Sequence, residues 1–266
     1  MSMAEEDLLS EHQVYLFKKN GFVNAGPLIT EDTATELANE ILSVIEHREN
    51  PTRTQPIRIA NLSGEEQRPI WQIVNIWQAS EAFSQLLKNA KLKHYISKLT
   101  GKSDFRIWHD QVQYKPSHVG GRLSWHQDLP KWPIMKGGTQ LTAWIALDDA
   151  GPQNGCMVMV PGSHLKGNQN EWLHQHDGSW QLGHNDSFMS EPTQVLCPVQ
   201  KGHVHFHDSL TWHSSGPNLS GQPRRAIALH FMDTETLFNC QGDHLLKEHI
   251  ASEDGQPIQG NPFLPI

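Results

Sequence analysis

Trp125-His126-Gln127-Asp128, answered far downstream by Trp212-His213-Ser214-Ser215 and Arg224, decides how this 266-residue chain is read. Side chains alternate along an extended segment, so His126 and Asp128 point the same way. A second imidazole from a distant strand, His213, would complete a set of two histidines and one carboxylate. That set suits a mononuclear non-haem Fe(II) site, which keeps open positions for a cosubstrate and for oxygen. Taken singly, His126 and Asp128 also fit a turn before Pro130, and His213 also fits a core histidine. The combination carries the reading.

Around this segment the chain changes grammar. Upstream it is helical. Leu8, Leu9, His12, Tyr15, Leu16 and Lys19 follow helical spacing up to Asn20-Gly21. A second helix starts after Thr30 as its N-cap. A polar loop with Pro51, Pro56, Gly64 and Pro69 follows, and a third helix runs from about Ser80 to Leu99, ended by Thr100-Gly101. From Phe105 the segments are short, β-rich and punctuated by Gly and Pro. Strands are expected at 105–114, 140–147, 155–160, 193–199, 203–207 and 226–232. The stretch 166–189 reads as a long polar loop, of the kind that serves function or moves. The pattern predicts a mainly β fold with a helical N-terminal layer: a jelly roll with flanking helices. No linker divides it, so one domain is expected over 1–266, with helices over 8–100, a β core over 104–235 and a C-terminal tail.

Bulk properties exclude several classes. Twenty-one basic and 29 acidic residues give a net charge of −8, with no basic run, so no nucleic-acid footprint is expected. No apolar run approaches the roughly 20 residues of a membrane span. The acidic start lacks the hydrophobic region of a signal peptide. Three scattered cysteines, Cys156, Cys197 and Cys240, fit reduced thiols rather than a disulfide framework. A cytoplasmic protein acting on a small molecule is the expectation, and the oligomeric state stays open.

Three further blocks sharpen the reading: Phe17-Lys-Lys-Asn-Gly-Phe22, Asn154-Gly-Cys-Met-Val-Met-Val-Pro-Gly-Ser-His164, and the spacing His213, Ser215, Asn218, Ser220, Arg224. With Trp125-His126-Gln127-Asp128 they resemble the phytanoyl-CoA dioxygenase family of Fe(II)/2-oxoglutarate oxygenases, over roughly residues 12–232. The resemblance implies a double-stranded β-helix whose mouth holds Fe(II) on His126, Asp128 and His213. It implies 2-oxoglutarate as cosubstrate beside O2, decarboxylated to succinate while a substrate C–H bond is oxidised. In the family the arginine at position 224 holds the far carboxylate of the cosubstrate, in the bidentate manner suited to guanidinium. Ser215 faces the same way. Gln111 falls at a family position near the cosubstrate, and Gln113, on the same face, competes for that role. Trp144 matches a pocket-lining tryptophan, and Gln127 reaches the mouth through its backbone or amide. Related halogenases carry a small residue where this chain has Asp128, so the carboxylate points to hydroxylation, or to desaturation or ring chemistry by the same oxidant, and away from halogenation.

Several residues stay open. Trp125, Trp132 and Arg122 are candidate substrate contacts, with Trp172, Trp180, Lys131 and Lys136 nearby, and packing or solvated charge as the alternative. His203, His205 and His207 alternate along one strand, which makes a zinc site conceivable. Support of the iron site by His207 and Asp208 is the favoured reading. Arg225, on the opposite face from Arg224, fits a surface salt bridge. His109 and His164 have no assignment. The competing function is a cupin-like metal-binding or sensor protein without turnover.

Overall fold

Thr30 shows how locally the helical layer is specified. Its hydroxyl accepts from the Thr33 amide and starts α2 (Glu31–Glu46). Buried Ala34, Leu37, Ala38, Ile41 and Val44 recur at helical spacing along α2. The computed structural model describes residues 9–176 and 193–266.

The helix before it, α1 (Glu11–Asn20), opens on a Ser10/Gln13 capping box and closes at Gly21 in the left-handed conformation. Its buried face is Val14 and Phe17, whereas Tyr15 is 55% exposed. The apolar stripe is thus rotated by one position from the one expected. The long third helix is two: α3 (Glu81–Leu87) and α4 (Ala90–Thr100). Asn89 breaks them, its side chain accepting from the Lys91 amide as the N-cap of α4.

All sheet pairings are antiparallel. The larger sheet has seven strands, in the order β1 (Phe22–Pro27), β10 (His203–Asp208), β7 (Gln140–Ala146), β12 (Arg224–Asp233), β4 (Phe105–Lys115), β3 (Trp71–Val74) and β2 (Arg58–Asn61). The smaller has four: β5 (Leu123–His126), β11 (His213–Ser215), β8 (Met157–Met159) and β9 (Val195–Cys197). A separate two-stranded antiparallel pair joins β6 (Met135–Lys136) to β13 (Leu237–Phe238). This is a double-stranded β-helix. The six expected strands are present, and β1, β2, β3, β5, β6, β11 and β13 are additional. Strands β2 and β3 occupy the segment read as a polar loop. The first part of the long polar stretch is helical, α5 (Asn170–His176). The remainder, including Trp180, lies outside the described residues.

Alternation divides the large sheet into two chemistries. Outward, Leu141, Ala143, Ile145, Val204, Phe206, Ile227, Leu229 and Phe231 join Phe17, Leu37, Ile41 and Ile96 in the main core under the helices. Burial of each of the larger of these side chains contributes roughly 1.5–3 kcal/mol. Inward, Trp144, Ala146, Ala226 and Ala228 meet Met157, Met159, Cys156 and Cys197 of the small sheet. The same inward phase carries the polar residues of the site. The C-terminal segment is no loose tail. Phe263 stacks on Trp108 with centroids 5.2 Å apart, and Leu264 and Phe105 carbonyls accept from Ile107 and Ile266 amides.

Candidate metal centre and cosubstrate pocket

His213 opens β11 directly opposite His126, the last residue of β5. Asp128 follows one turn later, its amide and that of Leu129 donating to the Ser209 carbonyl. Ligating atoms of His126, Asp128 and His213 lie within 4.8 Å of one another, and all three residues are buried. Asp128 Oδ1 is 3.8 Å from His126 Nε2 and 3.6 Å from His213 Nε2.

The tautomers are set by the backbone. His126 Nδ1 lies 2.8 Å from the Ser124 carbonyl and His213 Nδ1 lies 2.9 Å from that of Thr211. A carbonyl only accepts, so each Nδ1 carries hydrogen and each Nε2 presents its lone pair inward. Burial, reinforced by like-charged neighbours, holds His126 well below the usual imidazole range, and burial brings His213 down to about 4. Burial pushes the Asp128 carboxyl up, but His213, His207 and His230 outweigh it and hold the group well below its ordinary value. Neutral imidazoles beside an ionised carboxylate are what a divalent cation requires.

Asp128 is oriented by its other oxygen. Oδ2 accepts from Thr142 Oγ1 at 3.0 Å and from His207 Nε2 at 3.1 Å. Thr142 Oγ1 in turn sits 2.8 Å from His230 Nδ1, which must donate because the threonine hydrogen is already given to Asp128. Oδ1 is thereby left facing the two Nε2 atoms. His207 was read from sequence as support for the site. Thr142 and His230 were missed, although each is a polar residue at the inward phase of an apolar strand. Outer partners of this kind typically tune metal affinity 10–100-fold. His207→Ala is therefore expected to weaken Fe(II) or Co(II) binding by about 10-fold or more, read by metal titration. Unchanged affinity would remove His207 from this role.

Arg224 heads the inward face of β12 and is 1% exposed. Its guanidinium lies 5.5 Å from the Trp144 ring centroid, and one Nη donates to the Gln113 carbonyl at 3.4 Å. Its Nε has no partner, and no carboxylate forms an ion pair with it among the described residues. Burial brings it down to about 10. A buried cation without an anion costs several kcal/mol. Such a cation therefore fits a bound carboxylate. The donor set and this guanidinium together fit Fe(II) and a 2-oxo acid.

One cavity contains His126, Asp128 and His213 with Gln113, Trp144, Ser215 and His230. Trp144 Nε1 donates to Gln113 Oε1 at 3.4 Å. Gln111, one residue pair along the same face, does not line the cavity. Gln127 is a correction. Its amide is spent on backbone, donating to the Gly167 and Leu210 carbonyls and accepting from the Gln169 amide. Fully buried on the far side of the segment, it clamps loops together and does not reach the mouth. Trp125 is also turned away, packed with Val158, Val160, Leu173 and Trp212. Trp132 lies behind His230, centroids 5.0 Å apart. Arg122 is exposed and does not line the cavity. His203, His205 and His207 form no metal-holding group among the described residues. His205 instead stacks on Phe22 at 5.8 Å. Asp208 accepts from the Leu210 amide and does not face the metal ligands. Arg225 pairs with Asp148 through Nε at 2.8 Å and Nη2 at 2.7 Å, on the opposite face.

The flanking motifs brace the ligands. Gly21 adopts φ +85°, and a Cβ there would collide with His164 and Thr211. Its carbonyl accepts from the Asp208 amide and the Thr211 hydroxyl, tying the start of the chain to the segment that presents His213. Ser163 Oγ accepts from the Trp212 amide at 2.8 Å. Asn218 donates to the Lys115 and Gln222 carbonyls and shapes the loop leading to Arg224.

The fold and this cavity define a jelly-roll oxygenase of the non-haem iron class. The family model described as phytanoyl-CoA dioxygenase (PhyH) matches residues 17–226. The chain belongs to that family. It is 27% identical to the peroxisomal phytanoyl-CoA dioxygenase of Bos taurus over 89% of this chain and 71% of that protein. The structure of SnoK, an alpha-ketoglutarate-dependent carbocyclase from nogalamycin biosynthesis, covers 100% of both chains at a TM-score of 0.77 and 24% identity. That of the epimerase SnoN in complex with Fe3+, alpha-ketoglutarate and nogalamycin RO covers 96% of this chain and 97% of its own, at a TM-score of 0.70 and 21% identity. These two likenesses establish the shared fold. Family membership and the His-Asp-His group make the chain a non-haem Fe(II)- and 2-oxoglutarate-dependent dioxygenase. Among the described residues no helix is long and apolar enough to cross a membrane.

Proposed function

We propose that His126, Asp128 and His213 hold the iron, that Arg224 and Ser215 hold the far carboxylate of 2-oxoglutarate, and that the enzyme hydroxylates a small-molecule metabolite. The observation that carries this reading is the buried guanidinium of Arg224, unpaired with any described carboxylate, in contact with Trp144 of the cavity that holds the three ligands. Iron bound there supplies activation of O2. The residues of the chain then bind, orient and exclude water. Asp128 is held through Oδ2 so that Oδ1 faces the imidazoles. Trp144 forms a wall over which the arginine lies. The carboxylate at position 128 favours hydroxylation over halogenation. A metal-binding protein with no carboxylate ligand would leave Arg224 buried at a cost with nothing to bind.

Residues 9–266 work as a single catalytic unit in this reading, because the helices pack on the outer face of the sheet whose inner face carries the site. The three cysteines are unpaired, which fits a reducing compartment such as the cytoplasm. The test is succinate release from 2-oxoglutarate, with Fe(II) and candidate metabolites, followed by mass spectrometry. Slow succinate formation without substrate, and one product gaining a single oxygen with it, are expected. No succinate under any of these conditions would overturn the proposal.

A further inference from the structure

Lys115 closes β4 and is 0% exposed, an unusual place for an ammonium group. It stands directly across the β4–β12 ladder from Arg224. Burial, with the Arg224 guanidinium opposite, holds the Lys115 amine well below the ordinary lysine range. No carboxylate pairs with Lys115 among the described residues. Its three acceptors are Ser215 Oγ at 2.7 Å, the Ser215 carbonyl at 3.3 Å and the Gly216 carbonyl at 2.5 Å. The space for it is built in. A Cβ at Gly155, itself at φ +82°, would strike the Gly216 carbonyl and press to 3.3 Å from Lys115 Nζ.

Nζ is the donor in both of its short contacts, to Ser215 Oγ and to the Gly216 carbonyl. Ser215 Oγ therefore accepts from Lys115, and the hydroxyl hydrogen is left for another partner. No acceptor for it exists among the described residues, and Ser215 lines the cavity. We propose that Lys115 positions the Ser215 hydroxyl as a hydrogen-bond donor toward the carboxylate held by Arg224. Lys115 is then a positioning residue of the cosubstrate pocket. This rests on the assignment of Arg224 and Ser215 made above. The alternative is that Lys115 merely satisfies two carbonyls at the end of β4.

The two roles separate in a double-mutant cycle on 2-oxoglutarate binding, measured anaerobically on Fe(II)-loaded protein and by calorimetry on Co(II)-loaded protein. Lys115→Met is expected to weaken 2-oxoglutarate binding about 10- to 100-fold, and Ser215→Ala by a similar factor. The double variant is expected to bind no more weakly than the weaker single, because both remove the same donor. Metal affinity stays within about twofold of wild type, and in turnover KM for 2-oxoglutarate rises while kcat moves little. Lys115→Gln, which keeps a donor toward the Gly216 carbonyl, serves the same cycle if Lys115→Met does not fold. Wild-type affinity in the Lys115 variant, or losses that multiply in the double variant, would overturn the proposal. Failure of the wild-type protein itself to bind 2-oxoglutarate would overturn the underlying assignment, and the proposal with it.

Discussion

Asp128→Ala is expected to abolish coupled turnover, lowering it by about 1,000-fold or more, equivalent to at least about 4 kcal/mol. The carboxylate is the sole anion among the three proposed ligands and an acceptor that Thr142 and His207 share. Its removal takes away the charge that complements a dication and leaves two buried donors without an acceptor. Metal affinity should fall further than in His207→Ala, because that variant loses one partner of Asp128 while keeping the ligand. Asp128→Asn keeps the shape and loses the charge, so it should bind metal weakly as well. Metal content after gel filtration, with succinate release, reads both effects. An Asp128→Ala protein that retains iron and turnover would remove Asp128 from the ligand set.

Arg224→Met is expected to raise KM for 2-oxoglutarate about 100-fold or more while leaving metal binding intact. Truncating one partner of a buried, hydrogen-bonded charge pair costs roughly 2–5 kcal/mol. Arg224→Lys should recover little, since a point charge on a flexible stem does not reproduce the planar fork. Arg224→Met should also make the cosubstrate-free protein more stable. Arg224 is buried with its Nε unpaired and no described carboxylate beside it, so an apolar side chain of similar length removes a desolvation penalty. A higher melting temperature together with a higher KM distinguishes a cosubstrate-binding arginine from a structural one. A lower melting temperature with unchanged KM would assign Arg224 to the fold.

Much of this was legible before any coordinates, for identifiable reasons. Thr30 and Gly101 announce helix ends by their chemistry, and the structure uses them so. Tyr15 misled because it lies beside the buried stripe of α1, and its amphipathic ring tolerates solvent. The break at Asn89 hid inside a continuous apolar pattern, since α3 and α4 bury consecutive faces. The strands β2 and β3 escaped because each has only four residues, and most are half-buried.

The site divides in the same way. His126, Asp128 and His213 are legible together as a donor set, and Arg224 through the family resemblance that its motif carries. Thr142, His230 and Lys115 lie on three separate strands, and only the β7–β12–β4 register brings them beside the ligands and Arg224. Gln127 shows the converse. Alternation already sends its side chain to the opposite face; the family resemblance suggested that it still reaches the mouth, yet its amide bonds the Gly167 and Leu210 carbonyls.

In the proposed site, Fe(II) sits on His126, Asp128 and His213 with 2-oxoglutarate against Arg224. Anaerobic titration of the Fe(II)-loaded protein with 2-oxoglutarate reads this arrangement. A weak visible charge-transfer band is expected that saturates at one cosubstrate per iron, is absent in His126→Ala, and needs far more 2-oxoglutarate in Arg224→Met. No band and no binding in the wild-type protein, or a band unchanged in both variants, would contradict it.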